Sequence, residues 1–207
     1  VDAFRFEMAT ELFEELRGGG TQSTVVDLKP RLAELPTITS VGMNALAPVT
    51  QGERLTVVGE FKGFRAGEFT VKDPEGRSRA MGMRSGGRPA LHVSLGDLCE
   101  RTTKVLKDLK DHRVVVIHST EIDTAGEANL GVHAFEATLR QLRAGWHHLQ
   151  TAGVKQAVFT ADHGFLLQDA TTETVQFGKK TDPHRRYVID AHERGEAGLT
   201  PVPFASL

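Results

Sequence analysis

Asp162 and His163, followed by Gly164, come directly after the run Lys155-Gln156-Ala157-Val158-Phe159-Thr160. That run reads as a short buried strand, which places the Asp-His pair where the strand ends and a glycine lets the backbone turn. Ligands of open α/β sheets bind at the carboxyl ends of strands. A carboxylate next to an imidazole offers oxygen and nitrogen donors to a divalent metal. The same tripeptide also serves as an ordinary turn, in which Asp and Gly satisfy the backbone. Partners elsewhere in the chain decide between the two readings.

Such partners recur. Asp2 stands just before the first helical pattern, as a metal ligand or as the N-cap of that helix. Asp123 and Glu127 follow the apolar run Arg113-Val114-Val115-Val116-Ile117-His118, the clearest buried strand of the chain, and they fall before a turn. Hydroxyls cluster in Leu35-Pro36-Thr37-Ile38-Thr39-Ser40-Val41-Gly42-Met43. Pro36 holds the segment extended, and the apolar residues after Thr39 predict a short helix. A hydroxyl at a helix N-terminus suits a nucleophile that must stabilise a phosphate, and it equally suits a plain cap. His184 comes late, in the segment Lys179-Lys180-Thr181-Asp182-Pro183-His184-Arg185-Arg186-Tyr187, a turn feeding a strand.

The elements that must position these residues are legible in outline. Phe4, Met8, Leu12, Phe13 and Leu16 have helical spacing over residues 4–17, ending at Gly18-Gly19-Gly20. Residues 24–29 form a short strand or a connection. Residues 94–111 read as helical, with Ser94 and Asp97 near the start. Residues 132–152 form a long helix carrying Phe135, Leu139, Leu142, Trp146 and Leu149, with His147 and His148 in surface or packing roles. Residues 52–96 differ, being rich in Gly and basic residues with alternating runs, and Asp73-Pro74-Glu75-Gly76 reads as a turn between two strands. This stretch is taken as an inserted β-rich cap. Between Phe61 and His92 it has seven Lys or Arg (Lys62, Arg65, Lys72, Arg77, Arg79, Arg84, Arg88) against three acids, with Phe61, Phe64 and Phe69 interleaved. Such a surface suits a phosphorylated or nucleotide substrate, with DNA or RNA as candidates, and it equally suits a solvated hairpin.

Composition removes several classes. The 207 residues, 39% hydrophobic and 25% charged, can bury one substantial core, and no apolar run is long enough to span a membrane. One cysteine, Cys99, allows no internal disulfide and no thiolate zinc cluster, which fits a reducing, cytoplasmic setting. A net charge of −2 gives no global attraction to nucleic acid. The chain opens Val1-Asp2-Ala3-Phe4 without Met, and is taken as a domain cut from a longer protein near the end of a strand.

Five segments, in order, resemble the alkaline phosphatase superfamily and within it the PglZ domain: Asp2-Ala3-Phe4-Arg5-Phe6-Glu7, the Leu35–Met43 segment, Ile122-Asp123-Thr124-Ala125-Gly126-Glu127, Thr160-Ala161-Asp162-His163-Gly164-Phe165, and His184-Arg185-Arg186-Tyr187. The resemblance implies a three-layer α/β/α sandwich with a mostly parallel central sheet. It also implies two divalent metals, usually zinc, bridged by the reacting phosphate. Asp2, Thr39, Asp162 and His163 would form one site, and Asp123, Glu127 and His184 the other. Glu127 stands where related phosphodiesterases often carry a histidine, a departure that admits manganese or magnesium. The superfamily pattern points to Thr39 as nucleophile, with Thr37 and Ser40 as fallbacks. Arg185, Arg186, Arg84 and Arg88 are candidate substrate contacts, whereas Arg5 is read as pairing with Glu7 or Glu11. A sulfatase would need a Cys or Ser within the nucleophile motif, and Cys99 lies outside it.

PglZ domains belong to BREX-type phage defence, so the implied activity is a metal-dependent phosphoesterase acting beside other defence proteins, with phosphodiesters as substrates. The competing reading is a structural or interaction module of such a complex with vestigial metal binding.

Overall fold

The computed structural model describes residues 1–19, 25–35, 37–46, 56–57, 64–66, 69–88, 90–128, 133–166, 201 and 203. In chain order these form Phe6–Gly19 (α1), Thr39–Ala45 (α2), Thr56–Val57 (β1), Phe64–Ala66 (β2), Phe69–Val71 (β3), Pro74–Arg84 (α3), Leu91–Ser94 (β4), Leu95–Glu100 (α4), Thr102–Leu109 (α5), Val115–His118 (β5), Glu121–Glu127 (α6) and His133–Thr151 (α7).

Apolar spacing explains the two long helices. Met8 and Leu12 make one buried stripe on α1, and Leu139 and Leu142 continue one on α7. Ala3, Phe4, Leu95 and Ile122 complete this core. Arg143 ties α7 to α1 by donating to Glu15 Oε1 at 2.7 Å. Gly145 is a point of close approach, since a Cβ there would meet Leu98 Cδ2 at 3.0 Å.

β4 and β5 pair in parallel, Leu91 opposite Val115 through Ser94 opposite His118. The crossover between them is helical, as a parallel connection requires. Alternation sends Leu91, Val93, Val115 and Ile117 toward one face, where Leu98, Val105 and Leu109 pack against them. β1, β2 and β3 make a separate antiparallel sheet in that order. Val71 of β3 packs on Ala80 of α3. The α/β class stands. The described residues form a two-stranded parallel sheet with helices packed on it, short of a three-layer sandwich. Among them, no helix is long and apolar enough to cross a membrane.

Several local expectations change. Lys155–Thr160 is not a buried strand: it lies outside any described ladder, with Val158 79% and Phe159 36% exposed. Its neighbour is the chain start, whose Val1 amino group donates to the Thr160 carbonyl at 2.9 Å. Asp73-Pro74-Glu75-Gly76 opens a helix instead of turning between strands. Asp73 caps α3 by accepting from Gly76 N at 2.7 Å, and Pro74 fills the first turn, where no N–H is needed. The helical stretch 94–111 breaks at Arg101, which ends α4 and starts α5. Residues 121–127 are helix and not turn, with Glu121 and Asp123 placed favourably in the first turn. Residues 25–30 are irregular, and β4 falls inside the 52–96 stretch yet pairs with β5.

Candidate metal centre

Three backbone segments meet at the carboxyl end of β5. Asp2 N donates to the Ser119 carbonyl at 2.8 Å, just past the strand, while Val1 bonds to Thr160 on the other side. The chain start is thus threaded between the end of β5 and the segment leading to Asp162. The turn after Asp2 is held by Ala3, a non-glycine residue at φ 57, whose N–H donates to Asp162 Oδ1 at 3.2 Å. His163 N donates to the same oxygen at 2.9 Å. One carboxylate oxygen of Asp162 therefore fixes both neighbouring segments.

Thr39 reaches this point from α2, of which it is the first residue. Its Oγ1 lies 3.1 Å from His163 Nε2 and 3.4 Å from Asp2 Oδ1. His163 Nε2 is 3.6 Å from Asp2 Oδ1 and 3.6 Å from Asp162 Oδ2. Asp2, Asp162 and His163 are all buried, and each offers one ligand atom within 4.8 Å of the others.

The tautomer of His163 follows from its other nitrogen. Nδ1 lies 2.9 Å from the Gly164 carbonyl, which can only accept, so Nδ1 carries a proton and Nε2 is the ring nitrogen turned to the carboxylates, the one that could bind a metal. Asp162 Oδ2 is buried and has no hydrogen-bond partner among the described residues. Ligand atoms from three side chains thus converge in a desolvated place, an arrangement that calls for a cation or a proton. The Asp2 carboxyl responds accordingly, pushed up to about 7 by burial and then by the charges of Asp162 and Asp123. The donor set of two carboxylates and one imidazole fits a divalent metal.

A family model described as the BREX system PglZ alkaline phosphatase-like domain matches residues 1–200. The chain belongs to this family. It is also similar to the alkaline phosphatase-like protein PglZ of Bacillus cereus (strain H3081.97), with 26% identity over 211 residues, covering 95% of this chain and 23% of that protein. The chain therefore spans less than a quarter of the length of the curated relative that it matches. No solved structure matches it.

Of the PglZ-type positions, the structure brings Asp2, Thr39, Asp162 and His163 together. Asp2 is not a helix cap, because α1 begins only at Phe6. Asp123 lies in the first turn of α6, near enough for its charge to act on Asp2 but outside the three-ligand group. Glu127 sits one helical turn further along α6 and is exposed. His184, Arg185 and Arg186 lie outside the described residues. Arg84 ends α3 and Arg88 follows it, both exposed. Thr37 precedes α2, and Ser40 is exposed on it. Arg5 pairs with Glu7 at 2.7 Å and stacks over the Phe165 ring at 5.2 Å.

Sequence reasoning missed three residues that pack on or around α2. Gly42, one turn after Thr39, lets α2 lie directly on the Asp162 backbone; a Cβ there would be 2.6 Å from the Asp162 carbonyl carbon. A glycine inside a helix costs about 1 kcal/mol, and that cost was the available signal. Asn44 is 1% exposed and bridges Ser40 O to Arg77. Arg77 itself carried no signal beyond being one of seven basic residues in its stretch.

Proposed function

We propose that this chain is the catalytic domain of a metal-dependent phosphoester hydrolase, acting on phosphodiesters of nucleotides or nucleic acid within a BREX-type phage-defence system and beside other defence proteins. The observation that supports it is the convergence of Asp2, Asp162 and His163 on one desolvated point, with the Thr39 hydroxyl 3.1 Å from His163 Nε2.

Asp2, Asp162 and His163 would hold one divalent ion, with Thr39 as its fourth ligand, and Asp123, Glu127 and His184 the other. Bound divalent ions of this kind neutralise phosphoryl charge and lower the pKa of a coordinated hydroxyl. Zinc suits the imidazole donors, and the carboxylate of Glu127 admits manganese or magnesium. Thr39 is the nucleophile in this reading. Its oxygen bonds to phosphorus as the bond to the leaving alkoxide breaks, and water then cleaves the phospho-threonine to restore the hydroxyl. Asp2 Oδ1, 3.4 Å from that hydroxyl, is placed to accept its proton. The Nδ1–H bond from His163 to Gly164 keeps the ring from swinging away. In this reading residues 52–96 act as a cap over the site, and Arg185 and Arg186 contact the substrate.

Hydrolysis of bis-p-nitrophenyl phosphate with added zinc or manganese tests the reading. Turnover that disappears in Thr39→Ala supports it. No turnover with any metal, together with an Asp162→Ala variant that changes only stability, would leave the interaction-module reading in its place.

A further inference from the structure

Arg77 lies on α3, in the stretch between the antiparallel sheet and β4, and projects toward the nucleophile-bearing helix. Its Nη1 donates to Asn44 Oδ1 at 3.0 Å. Asn44 in turn donates from Nδ2 to the Ser40 carbonyl at 2.6 Å, so it is locked on α2 and cannot turn away. The guanidinium is half-buried, and among the described residues no carboxylate forms an ion pair with it. The acidic groups whose charges it feels are Asp73, which caps its own helix, and Asp162 of the metal centre. A guanidinium has five N–H donors in a rigid fork, and the bond to Asn44 uses one of them.

A partly desolvated cation without a paired carboxylate is costly unless an anion completes it. Its hydrogen-bonding edge is already oriented by a buried amide, so little freedom is lost when that anion arrives. We infer that Arg77 is a substrate-binding residue that grips a non-bridging phosphoryl oxygen beside the Asp2–Asp162–His163 centre. The inserted stretch would then complete the site with a cation as well as cover it. Arg84 lies two turns further along the same side of α3 and is exposed, so it does not share this role. The inference rests on the phosphoesterase reading for the identity of the anion, and its test is chosen to be independent of turnover.

Binding of inorganic phosphate to the purified, manganese- or zinc-loaded protein is measured by calorimetry for wild type, Arg77→Gln and Arg77→Lys. Glutamine keeps an N–H for Asn44 and removes the charge. Lysine keeps the charge and loses the fork. Arg77→Gln is expected to weaken phosphate roughly tenfold or more, the worth of one charge-assisted hydrogen bond, with metal affinity unchanged. Arg77→Lys is expected to lose about threefold or more, and it decides the matter if Arg77→Gln does not fold. Phosphate affinity equal to wild type in the folded variants overturns the role, as does a wild type that binds no phosphate. A wild type that binds phosphate through Arg77 yet hydrolyses no diester would sink the hydrolase reading and leave Arg77 as an anion-binding residue.

Discussion

Gly42 of α2 touches the backbone of Asp162: a Cβ at position 42 would lie 2.8 Å from Asp162 Cα and 2.6 Å from its carbonyl carbon, and nearer still to its carbonyl oxygen. Backbone on both sides of a contact cannot yield as a side-chain tip can. The contact lies one turn below Thr39 and immediately before His163. It therefore sets the distance between the hydroxyl and the imidazole, and the packing of two distant segments becomes a requirement of the proposed chemistry.

Gly42→Ala should accordingly damage site and fold together. Although alanine is the better helix former, the added methyl must push α2 off Asp162, at a cost of roughly 1–3 kcal/mol by the usual scale of overpacking. Urea unfolding should show that loss, and calorimetry should show weaker zinc or manganese binding. An alanine variant as stable as wild type would mean that α2 and Asp162 are not in direct contact.

Asp162→Asn should separate stability from metal binding. Oδ1 of the amide can still accept from Ala3 N and His163 N. The new N–H group would stand where Oδ2 now has no partner among the described residues, with His163 Nε2 3.6 Å from that position. One negative charge beside Asp2 also disappears. The metal-free variant should gain on the order of 1 kcal/mol, about one hydrogen bond, and should lose the tight metal site. A variant that loses stability without metal would show that the carboxylate pair is not under electrostatic strain.

Legibility in the sequence followed the range of the interaction. Leu12, Leu139 and Leu142 revealed α1 and α7 because a core-facing stripe repeats every turn. Asp162 and His163 stood out because adjacent residues need no folding information to be near each other. Thr39 and Asp2 stood out by their place at the start of a helical pattern and then by the order of motifs, not by any period of their own. Helix α6 was missed because seven residues including Gly126 hold too few apolar positions to show a period. Helix α3 was missed because its small core is Val71 against Ala80, and its Asp-Pro start doubles as a turn signal. The Gly42–Asp162 contact and the Arg77–Asn44 bond join segments far apart in the chain. Such pairings leave no trace in either segment alone.

Ala3 supplies a test of backbone strain. Its φ of 57 is a conformation that glycine adopts freely and alanine resists by roughly 1–2 kcal/mol. Its methyl is 1% exposed, worth about 0.8 kcal/mol of apolar burial. The two terms oppose each other, so Ala3→Gly should stay within about 1 kcal/mol of wild type. Ala3→Val, branched at Cβ and without room, should cost more than about 2 kcal/mol. Urea midpoints compare the three chains. A large loss in Ala3→Gly would show that the turn after Asp2 is not left-handed.

The titration of Asp2 gives the site a pH dependence of definite sign. Burial first, and then the charge of Asp162, lift its carboxyl from 3.8 to about 7 in the metal-free fold. Between those values the folded chain binds a proton that the unfolded chain has released. The stabilisation is therefore fully present below about pH 4 and falls away as pH rises through about 7, opposite to the usual carboxylate. A divalent ion must displace that proton, so its binding should release close to one proton at pH 6 and little at pH 8. Apparent zinc or manganese affinity should rise toward neutrality and then level off. Calorimetry in two buffers of different ionisation enthalpy reads the proton count, and thermal melts of the metal-free protein between pH 5 and 8 read the stability. A melting temperature that climbs over this range, with equal proton release at pH 6 and 8, would show that Asp2 enters the metal-free fold already ionised.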